Sequence, residues 1–270
     1  MDFHQQVIAE FRANAGHVGG PFEGGRLILL TTTGARTGAR RTHPLGYLPD
    51  GDRIVVIASG GGSPRHPGWF HNLVANPVAQ VEDGVFTYEA KATVLTGPER
   101  DELWERAVES DPGWAEYQAK TSRLIPVVAL TQVSGGPPNA TSWGAALKLV
   151  HGAFRRELAT IRREVAASKP TLGAQLKVNC LTACQGLSFH HTSEDTGMFT
   201  MLRDRYPELA PTLDRLTEEH EAIAALLAQL RQTLERGDAT TLRADVDRLI
   251  GELEAHLTYE EEQLIPFLDA

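Results

Sequence analysis

Ser134-Gly135-Gly136-Pro137-Pro138-Asn139 is the stretch that decides how this chain folds. Paired glycines and paired prolines interrupt helix and strand periodicity alike, so the segment reads as a linker. The hydrophobic spacing changes across it. Toward the N-terminus, the runs at 26–33, 53–58, 79–82, 85–90 and 127–130 are short, β-branched and separated by turn residues, which predicts strands. Asp83-Gly84 lies between two of them as a tight-hairpin signal, and helical spacing is expected over 3–14 and 98–109. Toward the C-terminus the period becomes helical. Helices are expected over about 142–167, 172–203, 208–234 and 238–267, broken at Ser168-Lys169-Pro170, Tyr206-Pro207 and Arg236-Gly237-Asp238. Short connections between long helices imply antiparallel neighbours, hence an up-down-up-down four-helix bundle. The expected organisation is multidomain, α+β then all-α: a mostly antiparallel β-barrel over 1–133, a linker over 134–144 and the bundle over 145–270.

Either half is long enough to bury a core, and 41% hydrophobic with 23% charged residues describes a packed soluble protein. The net charge of −9 divides as −3 up to residue 135 and −6 beyond it, which argues against sequence-independent binding of nucleic acid. No run reaches the 18 or so apolar residues of a membrane span. The opening MDFHQQVIAEF lacks an uninterrupted apolar core and reads against a signal peptide. Two cysteines, Cys180 and Cys184, are too few for a disulfide framework and fit a reducing cytoplasm; buried, inert thiols are expected.

Beyond the linker every predicted helix carries histidine: His151, His190 with His191, His220 and His256. His190 with Glu194, and His256 with Glu260, are four residues apart, so each pair shares one helix face. Converging on the bundle axis, two such pairs plus His151 and His220 could supply six nitrogen and oxygen donors. That set suits two iron or manganese ions and includes no thiolate to favour zinc.

This half resembles the hemerythrin-like, or HHE cation-binding, family. The resemblance rests on Leu149-Val150-His151 with Arg155-Arg156-Glu157-Leu158, on Phe189-His190-His191-Thr192 with Glu194-Asp195, on Glu219-His220-Glu221, and on His256 with Tyr259-Glu260-Glu261-Glu262. It implies a non-haem di-iron centre, manganese being the alternative ion, held by His151, His190, Glu194, His220, His256 and Glu260. Oxygen-carrying members have a further histidine one turn after the third-helix ligand, where this chain has Ala224. Glu221 or His191 could fill that place. Tyr259 is either near the metals or an ordinary core tyrosine.

In the first half, a strand running into Thr33-Gly34-Ala35-Arg36-Thr37-Gly38-Ala39-Arg40-Arg41-Thr42 can present guanidinium forks and backbone amides to an anion. A second cluster, from Ser59 to Leu73, has four glycines read as nonhelical, then Trp69 and Phe70, which could flank a planar ring. Together with Phe11-Arg12-Ala13-Asn14, Pro64-Arg65-His66-Pro67, His71-Asn72-Leu73, Ala75-Asn76-Pro77 and Tyr117-Gln118 through Arg123 to Ile125-Pro126-Val127, these segments are similar to the deazaflavin-dependent nitroreductase family over roughly residues 8–132.

That resemblance implies a split β-barrel of flavin-reductase-like type that binds reduced coenzyme F420 and passes its hydride to an acceptor. The coenzyme carries a phosphodiester and a glutamate tail. Arg36, Thr37, Arg41 and Arg65 are the expected anion contacts, Gly61, Gly62 and Ser63 the expected backbone donors, and Trp69 and Phe70 the expected ring contacts. Flavin mononucleotide would use similar phosphate contacts. The expected function is an F420-dependent oxidoreductase coupled to a di-iron centre that reduces or activates oxygen, peroxide or a small organic acceptor. The alternative is an oxygen, nitric oxide or iron sensor regulating an independent reductase. An oxygen-derived small-molecule acceptor is the expected partner, and two copies could pair as a homodimer.

Overall fold

The computed structural model describes residues 2–168 and 172–270. The predicted break at Ser168-Lys169-Pro170 lies, beyond Ser168, outside the described residues. The chain forms two compact units divided at Asn139/Ala140, with Gly173–Val178 grouped with the first. Among the described residues no helix is long and apolar enough to cross a membrane.

In the first unit, helix α1 (Phe3–Ala13) precedes strands β1 (Leu27–Thr33), β2 (Arg40–Asp50) and β3 (Arg53–Ile57). Helix α2 (Gly68–Ala75), strands β4 (Val78–Glu82) and β5 (Thr87–Val94), helices α3 (Gly97–Ser110) and α4 (Gly113–Ala119), and strand β6 (Val127–Ser134) follow. The strands close into a barrel in the order β1-β2-β3-β6-β5-β4, every neighbouring pair antiparallel. Side chains alternate across β1. Ile28 and Leu30 join the cluster of Val56, Val81, Ala90, Val128 and Leu130, whereas Leu27 and Leu29 pack on Val7 and Phe11 of α1. Both faces of β1 are therefore apolar. On another wall, Val55, Val127 and Ala129 are covered by Leu95 and by Leu103 of α3. Asp83 closes the β4–β5 hairpin by accepting from the Val85 and Phe86 amides at 2.9 and 2.8 Å.

Three elements depart from the sequence reading. Strand β2 occupies much of what reads as loop, because Arg40, Arg41 and Thr42 pair with Thr33, Thr32 and Thr31. Its two prolines, Pro44 and Pro49, mask the strand signal. Gly68 begins helix α2 and is not one of the nonhelical glycines. The short helix α4 has no periodic run long enough to register.

In the second unit, α5 (Trp143–Ala167) is followed by α6 (Ala174–Ser193), which continues through a π-helical turn at Glu194–Met198 into α7 (Phe199–Arg205), and then by α8 (Ala210–Arg236) and α9 (Ala239–Leu268). Cross-helix hydrogen bonds fix the directions. Asn179 reaches Glu164 while His190 meets His151, so α6 runs antiparallel to α5. Arg155 reaches Glu254 while Arg243 reaches the Ala166 carbonyl, so α9 is also antiparallel to α5. Gln229 reaches Asp245 while His256 meets Glu219, which sets α8 antiparallel to α9. Ser142 caps α5 through the Ala145 amide, and Asp238 caps α9 through the Thr240 and Thr241 amides. At Gly237 a φ of 71° ends α8, a conformation glycine adopts without strain.

Leucine and phenylalanine fill the bundle at one level, where Phe199, Leu202, Leu209, Leu213, Leu216 and Leu264 pack with Tyr259 at their edge. Elsewhere in its core Cys180 and Cys184 are buried and unbridged, and burial pushes the Cys184 thiol up to about 11. A thiol held protonated there packs as a small apolar group.

Candidate metal centre and cofactor cradle

Each long helix of the bundle brings a histidine inward. His151, His191, His220 and His256 are all buried, and Glu194 and Glu260 are 5% and 0% exposed. These side chains form two adjoining groups, His191 with His220 and His256, and His151 with His190, Glu194 and Glu260, the donor atoms of each group lying within 4.8 Å of one another. The carboxylates span the groups. Glu194 lies 3.3 Å from His190 Nε2 and 3.7 Å from His220 Nε2, and Glu260 lies 3.4 Å from His151 Nε2 and 3.6 Å from His256 Nε2.

The inward atoms are also those that the protein leaves unsatisfied. Both oxygens of Glu194 and Glu260, together with the Nε2 atoms of His191, His220 and His256, are buried without a hydrogen-bond partner among the described residues. Polar atoms are rarely left so unless another group completes them, and cations fit this donor set. Outside the cluster the imidazoles are anchored. Nδ1 of His151, His220 and His256 pairs with Glu261, Asp195 and Glu219, each at 2.9 Å. This assigns the proton to Nδ1 and turns the Nε2 lone pair inward. Arg155 holds Glu261 at 2.6 Å and Arg215 holds Glu219 at 2.8 Å.

Burial sets the protonation states. It pushes His256 down to about 4 and, reinforced by the neighbouring imidazoles, His191 down to about 2 and His190 well below its ordinary value. His151 and His220 are lowered by burial too, against the opposing hydrogen bonds from Glu261 and Asp195. Burial raises Glu194 and Glu260, helped in each case by nearby carboxylates. The centre at neutral pH is thus a set of neutral imidazoles around carboxyls that a cation would relieve of their protons.

All six residues expected as ligands lie in the two groups, and His191 joins them. Glu221 and Ala224 are exposed and outside the site, whereas Tyr259 packs in the leucine-rich cluster with Arg215 over its ring. Asp195, Glu219 and Glu261 were not singled out by sequence reasoning. Each stands beside an expected ligand, Asp195 next to Glu194, Glu219 next to His220 and Glu261 next to Glu260, the one signal that could have found them. Asp195 stands with Glu194 in the π-helical turn and reaches His220 from outside the cluster.

In the barrel, the turn from Gly34 to Ala39 is closed by the Gly34 amide on the Ala39 carbonyl, with Thr37 Oγ1 accepting from the Ala39 amide. Asn72 of α2 binds this turn to the second segment: its Oδ1 accepts from the Ala35 amide and its Nδ2 donates to Thr32 Oγ1, both at 3.0 Å. Arg36, Thr37, Arg41 and Arg65 are exposed. The guanidinium groups of Arg36, Arg41 and Arg65 have no carboxylate partner among the described residues. Three uncompensated cations on an acidic chain favour an anionic ligand.

Two expectations fare differently. The amides of Gly61, Gly62 and Ser63 are turned into their own loop, donating to Ser59 Oγ, the Ser59 carbonyl and the Gly60 carbonyl. Trp69 and Phe70 are buried at 4% and 9% exposure in the barrel core. The Phe70 ring lies 4.9 Å from that of His66 in the cradle segment.

A barrel with a cationic rim, joined to a bundle with a histidine–carboxylate centre, defines a cofactor-binding module fused to a cation-binding one. Residues 4–132 match the family model described as F420H(2)-dependent quinone reductase, and residues 145–268 match the hemerythrin HHE cation binding domain. An F420H(2)-dependent quinone reductase of Mycobacterium tuberculosis is 41% identical over 128 residues, which cover 46% of this chain and 86% of that protein. A second relative from that organism is 32% identical over 103 residues, covering 38% of this chain and 87% of its own length. Among solved structures, an F420-H2 dependent reductase is 43% identical and covers 39% of this chain and 93% of its own, with a TM-score of 0.36. Another, described as a domain-swapped dimer, is 40% identical and covers 47% and 92%, with a TM-score of 0.38. The chain belongs to the F420H(2)-dependent quinone reductase family and carries a hemerythrin HHE domain after its barrel.

Proposed function

We propose that the barrel binds reduced coenzyme F420 and reduces a quinone-class acceptor, and that the bundle holds two iron ions that serve the same oxidoreductase. The observation that carries the first half is the 41% identity to a named quinone reductase across a barrel displaying Arg36, Arg41 and Arg65 without counter-ions. Reduced F420, when bound, supplies a hydride, which together with a proton converts a quinone to its hydroquinone. The protein's part is to hold the coenzyme's anionic groups on those arginines and to orient the turn between Gly34 and Ala39 through Asn72.

In the bundle, His151, His190, Glu194, His220, His256 and Glu260 are the proposed ligands, with His191 as a seventh. Iron held there supplies a redox centre able to reduce or activate oxygen, peroxide or a small organic acceptor. The residues keep every imidazole neutral, fix three of them through outward carboxylates, and leave Glu194 and Glu260 able to bridge. Manganese satisfies the same donors. Joining both modules in one chain raises their effective concentration for each other.

One observation favours the sensor reading. His191 places a third imidazole beside His220 and His256, replacing the nitrogen that Ala224 does not supply. A nitrogen-rich position suits binding of oxygen or nitric oxide as a signal.

The test uses the full chain. Oxidation of reduced F420 is followed with menadione without air, and then in air without quinone, for iron-loaded protein and for a metal-free His151→Ala/His256→Ala variant. Quinone reduction in both, with air oxidation fast only in the iron-loaded protein, is the expected result. Equal rates in air would remove the coupling and leave the sensor. A wild-type protein inactive with quinone would remove the reductase reading.

A further inference from the structure

We propose that Arg123 is a positioning residue of the cradle: its guanidinium grips the backbone on both sides of the Gly60–Gly62 turn and so fixes the direction in which Arg65 is presented to the cofactor. The proposal rests on the F420 reading above. Arg123 lies about 60 residues away in sequence, yet Nη2 donates to the Ala58 carbonyl at 3.1 Å and the Ser59 carbonyl at 2.5 Å. Nε donates to the Ser63 carbonyl at 2.8 Å, and Nη1 meets His66 Nδ1 at 3.0 Å. Two of these partners precede the glycines and two follow them.

A guanidinium has five N–H donors, and four serve this turn. Little is left for a ligand, so Arg123 acts through the loop. The cation is half-buried and has no carboxylate partner among the described residues. Burial without a countercharge is unfavourable unless dipoles replace water, and here three carbonyls do so. Burial lowers the Arg123 pKa accordingly. As a donor it requires His66 to accept at Nδ1, which assigns the imidazole proton to Nε2.

Strand pairing does not need this residue. Ile57 pairs with Val127, and the Ala58 amide already donates to the Pro126 carbonyl, so β3 and β6 are joined before Arg123 contributes. The turn is the part in need of support. Gly60, Gly61 and Gly62 adopt φ values of 55°, 65° and 82°, and consecutive glycines lose more conformational freedom on ordering than any other residues. Its own short hydrogen bonds and the close packing of Gly62 against Tyr117 and Lys120 hold the middle of the turn. Arg123 clamps its two ends.

The experiment compares wild type, Arg123→Lys, Arg65→Ala and the double variant as full chains. Lysine keeps the charge and cannot bridge three carbonyls. Amide exchange over residues 59–66 is measured without cofactor, and F420 affinity by quenching of its fluorescence. The proposal expects exchange at Gly62 and Ser63 to rise about tenfold in Arg123→Lys, F420 binding to weaken by about tenfold, and the two substitutions to be clearly non-additive. Unchanged exchange, wild-type affinity in Arg123→Lys, or additive losses would each overturn it. Protection lost throughout the barrel strands would also overturn it, by making Arg123 a general support of the fold. If wild type fails to bind F420, the F420 reading falls while the exchange data still judge the clamp.

Discussion

The imidazole of His191 lies face to face with that of His220, ring centroids 4.2 Å apart and planes inclined by 11°. Stacking sets both rings beside His256 and so makes His191 a candidate donor, a role that helical spacing alone leaves open. His191→Ala and His220→Ala are each expected to lower iron content from about two per chain toward one. Glu221→Ala, at an exposed position, leaves content unchanged. Metal analysis of purified variants reads both, and full occupancy in His191→Ala would remove it from the ligand set.

Glu194 and Glu260 are buried acids whose oxygens accept no hydrogen bond among the described residues, so metal binding and metal-free stability should oppose each other there. Glu194→Gln and Glu260→Gln should reduce metal content and raise the melting temperature of the metal-free protein. The gain expected from removing one unpaired buried carboxyl is about 1 kcal/mol, or about 4 °C for a domain of this size. A lower melting temperature in both variants would show that these carboxyls support the fold without metal.

Protonation makes the metal-free bundle sensitive to pH from both sides. The histidine values are depressed, so their contribution is present above the ordinary value near 6.5 and is lost as pH falls, for His256 down to about 4 and for His191 to about 2. Glu260 is raised to about 8, so its contribution is present below the ordinary carboxylate range and is lost as pH climbs to about 8. Five imidazoles outweigh two carboxyls on the acid side. Metal-free stability should therefore peak near pH 6–7, with His256 alone accounting for a loss on the order of 3 kcal/mol by pH 4. Thermal melts across pH check this, and a curve still rising at pH 8 would contradict it.

Cradle and core residues should separate cleanly. Arg36→Ala and Arg65→Ala are expected to weaken F420 binding by about fivefold each at low salt and by less at high salt, where screening already reduces exposed charges. Trp69→Ala, in the barrel core, is expected to cost about 3–5 kcal/mol in stability before binding is affected. Fluorescence titration at two salt concentrations and thermal unfolding distinguish the two classes.

The bundle was legible because its signals are local. Histidine and glutamate four apart and helix breaks at Tyr206-Pro207 and Arg236-Gly237-Asp238 each act within one or two turns. What escaped depends on distant partners or on irregular backbone. Strand β2 hides its pattern behind Pro44 and Pro49, whereas Arg123 gains meaning only when the chain returns it to Ala58, Ser59 and Ser63. Trp69 and Phe70 carried a true signal of burial that fits a ring contact or a barrel interior equally well. Asp195, Glu219 and Glu261 escaped because each is turned about 100° from the expected ligand beside it and anchors an imidazole of another helix.

The π-helical turn at Glu194–Met198 also bears on how this domain can change by insertion or deletion. A wider turn takes up about one residue more than α-helical winding would, so the helix before it and the helix after it stay in phase, with Glu194 at the histidines and Phe199 and Leu202 in the leucine-rich cluster. Loss of one residue from this turn would return the stretch to ordinary winding with both sets of contacts kept. The same loss from the regular helix of Ala174–Ser193 would rotate everything after it by about 100° and turn Phe199 and Leu202 away from their neighbours. Single-residue changes of length in descendants of this chain should therefore collect at 195–198 and be absent between His190 and Glu194.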